Sequence, residues 1–323
     1  MSLGSGSADD KASAAIVPTS GLKRWARPVM NLAAVVFVAL AVRDMASKWE
    51  GSRVALAPWP AVVASVPLLL SCLAQGLGWI FLVEAMAHRR VPRGPALALY
   101  FKSQLARYTP GKVGLPIVRM EGAPRLDLPR SIVGVSVLVE MLSWTASGAV
   151  VGFALLAVAA PKVGLAGVLG KLAVPLFVGS ALGALILLLV DRRVYPAKVR
   201  AVLAPEGEGP IVPPALPLAQ LVYWLLVAVH GYAMSLALGT PAGAAVTAMG
   251  FYVIAQVAGF VALAAPAGLG VREAVLVAGL SPAVGAAGAL GAAVISRALS
   301  FVAELVVWLG ARAVWGGSKA PRR

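Results

Sequence analysis

The chain has 323 residues, a mean hydropathy of +0.87 and only 13% charged residues, where a soluble domain carries about 25%. That composition excludes an ordinary soluble enzyme, and the lack of alternating strand patterns argues against a β-barrel. The formal charge of +15 is spread over several connecting segments with no soluble domain to carry it. This argues against a nucleic-acid partner and fits cytoplasmic loops facing anionic lipid headgroups.

In chain order, residues 1–22 are rich in Ser, Ala, Gly and Asp and read as a disordered cytoplasmic tail. Lys23, Arg24 and Arg27 then precede the apolar run Pro28–Val42, which ends at Arg43-Asp44 without a small-residue cleavage site. It reads as a retained signal anchor. A second span covers about 60–87. The stretch from His88 to Arg130 follows, with Arg89, Arg90, Arg93, Lys102, Arg107, Lys112, Arg119 and Arg125 set against Glu121 and Asp127. Its charge places it on the cytoplasmic side, and parity puts the N-terminus there too. Within it, 94–108 alternates apolar and basic residues at helical spacing. Leu97, Phe101, Leu105 and Tyr108 share one face while Lys102 and Arg107 point elsewhere. Such a helix either lies along the interface or dips into the membrane as a re-entrant element.

Further spans are expected at about 131–159, 172–190, 218–238 and 243–265, each long enough to cross about 30 Å of hydrocarbon. The Pro-rich segment 191–217, with Arg192, Arg193, Lys198 and Arg200, is the connector between halves. Residues 271–316 are broken by Ser281-Pro282, several glycines and Arg297. They hold either two tight spans or one half-penetrating segment and one long span. The basic tail 317–323 suggests a cytoplasmic C-terminus. The expected fold is therefore all-α: a polytopic membrane helix bundle of about seven or eight hydrophobic segments, forming one transmembrane domain over 23–316.

An internal echo runs through it. Ser136-x-x-x-Glu140-Met141-x-x-Trp144 is matched by Ser300-x-x-x-Glu304-Leu305-x-x-Trp308. Pro110-Gly111-Lys112-Val113-Gly114 precedes the first copy, and Pro266-Ala267-Gly268-Leu269-Gly270 precedes the second. The repeat units read as about 94–144 and 243–308. A duplicated unit with intramembrane acids is more often a transport layout than a soluble enzyme's.

Each candidate residue has a functional and a packing reading. Glu140, about ten residues into an apolar run, costs several kcal/mol if ionised and unpaired. It either lines a polar cavity or fixes helix packing through a buried bond. Arg297 lies two turns less about 20° before Glu304 on one helical face, roughly 10 Å away along the axis, which suggests a shared partner or a cavity between them. The loop Arg107-Tyr108-Thr109-Pro110-Gly111-Lys112-Val113-Gly114 leaves backbone N–H groups free for an anion, with Arg107, Lys112 and Arg119 supplying charge. Alternatively it is a cytoplasmic turn that sets topology. Adjacent Arg272 and Glu273 interrupt an apolar stretch from about 242 to 296 and must face protein or water; they pair with the other loop's charges or with substrate, or else form a short helix-cap turn at the membrane surface. No nucleophile–base constellation stands out, so no catalytic residue is assigned. His88 and His230 lack acidic or Cys neighbours at ligand spacing, so no metal or other cofactor is expected. Lone Cys72 reads as a small packed hydrophobe.

The first loop with Glu140, together with Pro266-Ala-Gly-Leu-Gly-Val-Arg272-Glu273, resembles the membrane region of lysylphosphatidylglycerol synthases and their stand-alone relatives over about 25–316. In that family the region is associated with moving an aminoacylated lipid between leaflets. Two departures matter: Met141 stands where the family often has arginine, and the chain stops at Arg323 without a soluble aminoacyl-transferase domain. Lysyl-lipid synthesis is therefore not carried over.

The expected function is binding and translocation of an anionic phospholipid or a polyprenyl-phosphate-linked glycolipid in the inner membrane. Arg107, Tyr108, Pro110, Gly111, Lys112, Gly114, Arg119, Gly268, Gly270 and Arg272 are read as headgroup-binding, and Glu140, Glu273, Glu304 and Arg297 as the intramembrane acid and coupling set. The alternatives are a membrane-embedded transferase acting on a lipid carrier, a cation-coupled transporter of a small solute, or a non-catalytic partner of a lipid-pathway enzyme.

Overall fold

The computed structural model describes residue 43 and residues 58–108, 113–159, 168–189, 212–262 and 268–315. The anchor expected at Pro28–Val42, both tails, Pro110, Gly111, Lys112, the charged part of the mid-chain connector and Pro266 lie outside the described residues. The described chain forms α1 (Pro58–Ala87), α2 (Arg93–Leu105), α3 (Gly114–Gly122), α4 (Arg130–Ala159), α5 (Val168–Leu189), α6 (Ala215–Ala237), α7 (Ala242–Val261) and α8 (Val271–Trp315). Short 3₁₀ turns at Ala106–Tyr108 and Ala123–Leu126 close α2 and α3, and no strand occurs among the described residues. This is the all-α membrane bundle that the composition implies. In hydrocarbon the backbone must satisfy itself, and helices do so within each segment.

Five helices (α1, α4, α6, α7 and α8) are long and apolar enough to cross a membrane. α1 and α4 each run 30 residues, about 45 Å at helical rise, which exceeds the hydrocarbon thickness. Their outer faces carry bare aliphatics: Val62, Val66 and Leu70 on α1, Leu138 and Leu142 on α4. α5 packs along α4 and exposes Val174, Val178, Leu182 and Leu185. Large exposed hydrophobes of this kind are a liability in water and the natural surface in lipid.

The last third forms one long helix, α8, with a break inside it. Inside α8, Gly285 adopts φ 72° and ψ 162°, a conformation essentially reserved for glycine. It divides the helix into an arm of about 21 Å (residues 271–284) and one of about 45 Å (residues 286–315). Only the second is long enough to span alone.

α2 and α3 are short and lie against α1, α4 and α8. α2 turns polar as well as apolar groups inward. Ala96, Tyr100, Phe101 and Ser103 are buried while Lys102 is exposed. Arg89 ties the start of this region to its end, donating to Asp127 Oδ2 at 2.8 Å and to the Leu126 carbonyl at 3.0 Å.

The helices meet at tight crossings. Trp224 on α6 is fully buried, and its indole N–H is held by the Trp144 carbonyl and the Ser147 hydroxyl on α4 at 3.2 and 3.1 Å. Its ring fills the notch at Gly148, where a Cβ would lie 2.3 Å from ring carbon. Gly148→Ala should therefore cost about 1–3 kcal/mol through overpacking. Gly310→Ala, where a Cβ meets open space, should gain up to about 1 kcal/mol from helix propensity. Thermal unfolding of the two variants in detergent checks the opposite signs.

Candidate functional site

The inward face of α2 and the C-terminal half of α3 meet the middle of α4 around one side chain. Arg119, the sixth residue of α3, is fully buried. Its Nε donates to Ser103 Oγ at 2.7 Å, its Nη1 is ion-paired with Glu140 Oε2, and its plane lies 4.3 Å from the Tyr100 ring centroid and 4.9 Å from that of Trp79. Desolvated cation–π contacts of this kind contribute about 2 kcal/mol. Glu140 in turn accepts from Tyr100 Oη at 3.0 Å and from Gln75 Nε2 at 3.3 Å. Trp79 is fixed by its own bond to Ser136 Oγ at 3.0 Å. Four helices thus converge on one charge pair. Arg119 Nη2, however, is buried with no hydrogen-bond partner.

A second pair lies alongside. Arg107, just past the end of α2, pairs with Glu304 on the long arm of α8. This arginine side chain is 28% exposed, against 0% for Arg119. Both pairs line one open cleft, walled by Leu68, Phe101, Leu115, Met141 and Phe260 among others. The two echoed glutamates, Glu140 and Glu304, therefore open onto the same space, each held by an arginine.

The second loop does different work. Gly268 has φ 70°, and a Cβ there would sit 2.5 Å from Gly259 Cα, so two backbones touch. Gly270, also at positive φ, precedes the first residue of α8 and donates its N–H to Glu273 Oε2 at 2.8 Å. This is the glutamate half of a capping box. The other Glu273 oxygen pairs with Arg297, so Arg297 is bonded to Glu273 and Glu304 to Arg107. Arg272 is buried behind the cleft. Its Nη2 donates to Ser296 Oγ at 3.0 Å, which lies 2.8 Å from His230 Nε2, while His230 Nδ1 faces the Ala64 carbonyl at 2.8 Å. A carbonyl only accepts, so Nδ1 carries the proton and Nε2 accepts from the serine hydroxyl.

Of the residues singled out in the sequence, Arg107, Arg119, Glu140 and Glu304 line the cleft. Arg272, Glu273 and Arg297 form the adjoining polar layer. Gly268 and Gly270 shape the loop, Gly114 opens α3, and half-buried Tyr108 is not among the cleft-lining residues. Sequence reasoning passed over Gln75, Tyr100, Ser103 and Trp79. Tyr100, Ser103 and Arg107 recur at i, i+3 and i+7, a polar helical stripe that the basic residues around it obscured.

A polytopic helix bundle with an ion-paired cleft at its centre is the architecture of a multi-pass membrane protein, not of a soluble catalyst. Residues 25–307 match the family described as the lysylphosphatidylglycerol synthase TM region, and the chain belongs to that family. It is thus a membrane protein related to lipid handling. No curated protein matches the chain.

Removing one member of the buried pair should be severe. Glu140→Gln leaves the Arg119 charge uncompensated and should cost about 3–5 kcal/mol, whereas replacing both partners with apolar residues of similar size should recover much of it. Glu304→Gln, whose partner is part-exposed, should cost less than Glu140→Gln. Thermal melts in one detergent rank the three.

Proposed function

We propose that the cleft receives the anionic headgroup of a lipid, a phospholipid or a polyprenyl-phosphate-linked glycolipid, and carries it between leaflets of the inner membrane while the acyl chains stay in the bilayer. The observation that carries this reading is Arg119 Nη2, a guanidinium donor buried at the cleft wall with no acceptor. An unsatisfied buried donor costs about 1–3 kcal/mol, more when charged. A phosphate oxygen would satisfy it, and arginine grips phosphate through two donors.

The charge balance of the cleft dictates the rest. Two arginines and two glutamates cancel, so an entering anion must displace a carboxylate. The Arg119–Glu140 pair is sealed by five further contacts and stays. Arg107–Glu304 is the more exposed pair and exchanges: Arg107 turns to the headgroup, and the freed Glu304 takes up a proton or a cation. That exchange would couple lipid entry to the charge of one intramembrane acid. In this reading the short arm of α8 enters the membrane and returns, and the two echoed units flank the cleft. The membrane-embedded transferase is the weaker alternative, because both glutamates that face the cleft are engaged by arginines and neither is poised as a general base.

Purified protein reconstituted in liposomes with fluorescent phosphatidylglycerol should accelerate leaflet exchange. Arg107→Ala and Glu304→Gln should each slow it by at least about tenfold, a loss of about 1.4 kcal/mol, while the protein remains folded. Exchange at the wild-type rate in both variants would refute the reading, as would chemical modification of the lipid without exchange.

A further inference from the structure

A second, open cavity lies where the end of α6, the start of α7 and the short arm of α8 meet. It is separate from the ion-paired cleft. The cleft takes Gln256 and Phe260 from the last turns of α7, and this cavity takes Ala244 and Thr247 from its first turns. On α7 the two linings come nearest at Phe251 and Gln256, about 7.5 Å apart along the helix. The polar chain Arg272–Ser296–His230 belongs to neither lining.

The chemistry of this cavity is unlike that of the cleft. No charged side chain lines it. Three residues that bear hydroxyls do, Ser235, Thr240 and Thr247. All three residues are more than nine-tenths buried, and none of the hydroxyls has a hydrogen-bond partner. Buried serine and threonine in a helix ordinarily return their hydroxyl to a carbonyl one turn back, as Ser281 does here to Val277. Leaving a buried hydroxyl unpaired costs about 1–3 kcal/mol, so three such groups around one cavity form a deficit that an occupant would remove.

The short arm of α8 adds an acceptor. Pro282, which lines the cavity, has no N–H, so the carbonyl of Ala278, also in the lining, has no i+4 donor. Three residues further on, the helix breaks at the exposed Gly285. Pro282 and Ala283 are exposed at this edge and mark the way in.

We infer that this cavity is a binding site for an uncharged polyhydroxyl headgroup, a sugar or glycerol moiety of a lipid. Each hydroxyl of such a group both donates and accepts, which matches three rotatable protein hydroxyls and a carbonyl. A phosphate would find no cation there. The assignment stands on this cavity alone and does not require the anion site of the cleft.

The test uses the full chain in phosphatidylcholine nanodiscs. Cys72 is the sole cysteine, so Cys72→Ser combined with Ala244→Cys places one thiol in the cavity wall. Its alkylation by N-ethylmaleimide is timed with monoglucosyl diacylglycerol added, with phosphatidic acid added, and with neither. The glucolipid should slow alkylation about fivefold by occupying the site; phosphatidic acid should leave it unchanged. Adding Thr240→Val and Thr247→Val should abolish the protection. No protection by the glucolipid, which is the behaviour of a cavity holding only water, overturns the assignment. So does equal protection by phosphatidic acid, which signals acyl chains alone. Should the valine variant not fold, the comparison of the two lipids on the Ala244→Cys protein decides by itself.

Discussion

Everything at the centre of this protein depends on satisfying one arginine away from water. A guanidinium inside the membrane region costs roughly 2.5–3.5 kcal/mol on insertion scales even in a favourable setting. The fold answers Arg119 with a carboxylate from α4, a hydroxyl from α2 and two aromatic faces from α1 and α2. Those partners come from distant parts of the chain, so the ion pair sets the register of four helices at once. It explains why α2 turns Tyr100 and Ser103 inward, why Ser136 is committed to holding the Trp79 indole, and why a helix as short as α3 has a defined place.

The same interaction leaves a remainder from which function can be built. One guanidinium nitrogen has no partner, and beside it lies a second arginine–glutamate pair whose cation reaches solvent. Pairs of one chemistry thus differ in burial. A sealed pair is rigid because opening it exposes an uncompensated charge. A part-exposed pair is screened and can exchange partners at modest cost. A cleft holding one of each has a fixed wall and a movable one, as a site needs if it is to admit and release a charged headgroup.

Much of this was legible in the sequence. The apolar runs set the class and, within a few residues, the ends of α1, α4, α6 and α7, because length and hydropathy in lipid leave little choice but helix. Glu140, Glu304, Arg107 and Arg119 stood out because charge in such surroundings is expensive. Their pairing was not legible. Arg297 shares a helical face with Glu304, yet it reaches Glu273 across the Gly285 break, and Glu304 takes Arg107 from far earlier in the chain. Periodicity describes neighbours on one helix, and these partners are set by tertiary packing. The second loop read either as a source of pairing charges or as a short helix-cap turn, and the Gly270 N–H held by the Glu273 carboxylate shows the cap.

The account turns on the two pairs behaving differently toward lipid, and a pair of double-mutant cycles measures that directly. Coupling energies for Arg119–Glu140 and Arg107–Glu304 would be obtained from unfolding in nanodiscs of phosphatidylcholine, then of phosphatidylcholine with phosphatidylglycerol. The account predicts a large Arg119–Glu140 coupling that the anionic lipid does not alter, and an Arg107–Glu304 coupling that falls toward zero when the lipid is present. An Arg107–Glu304 coupling unchanged by phosphatidylglycerol, or an Arg119–Glu140 coupling that collapses with it, would contradict the account.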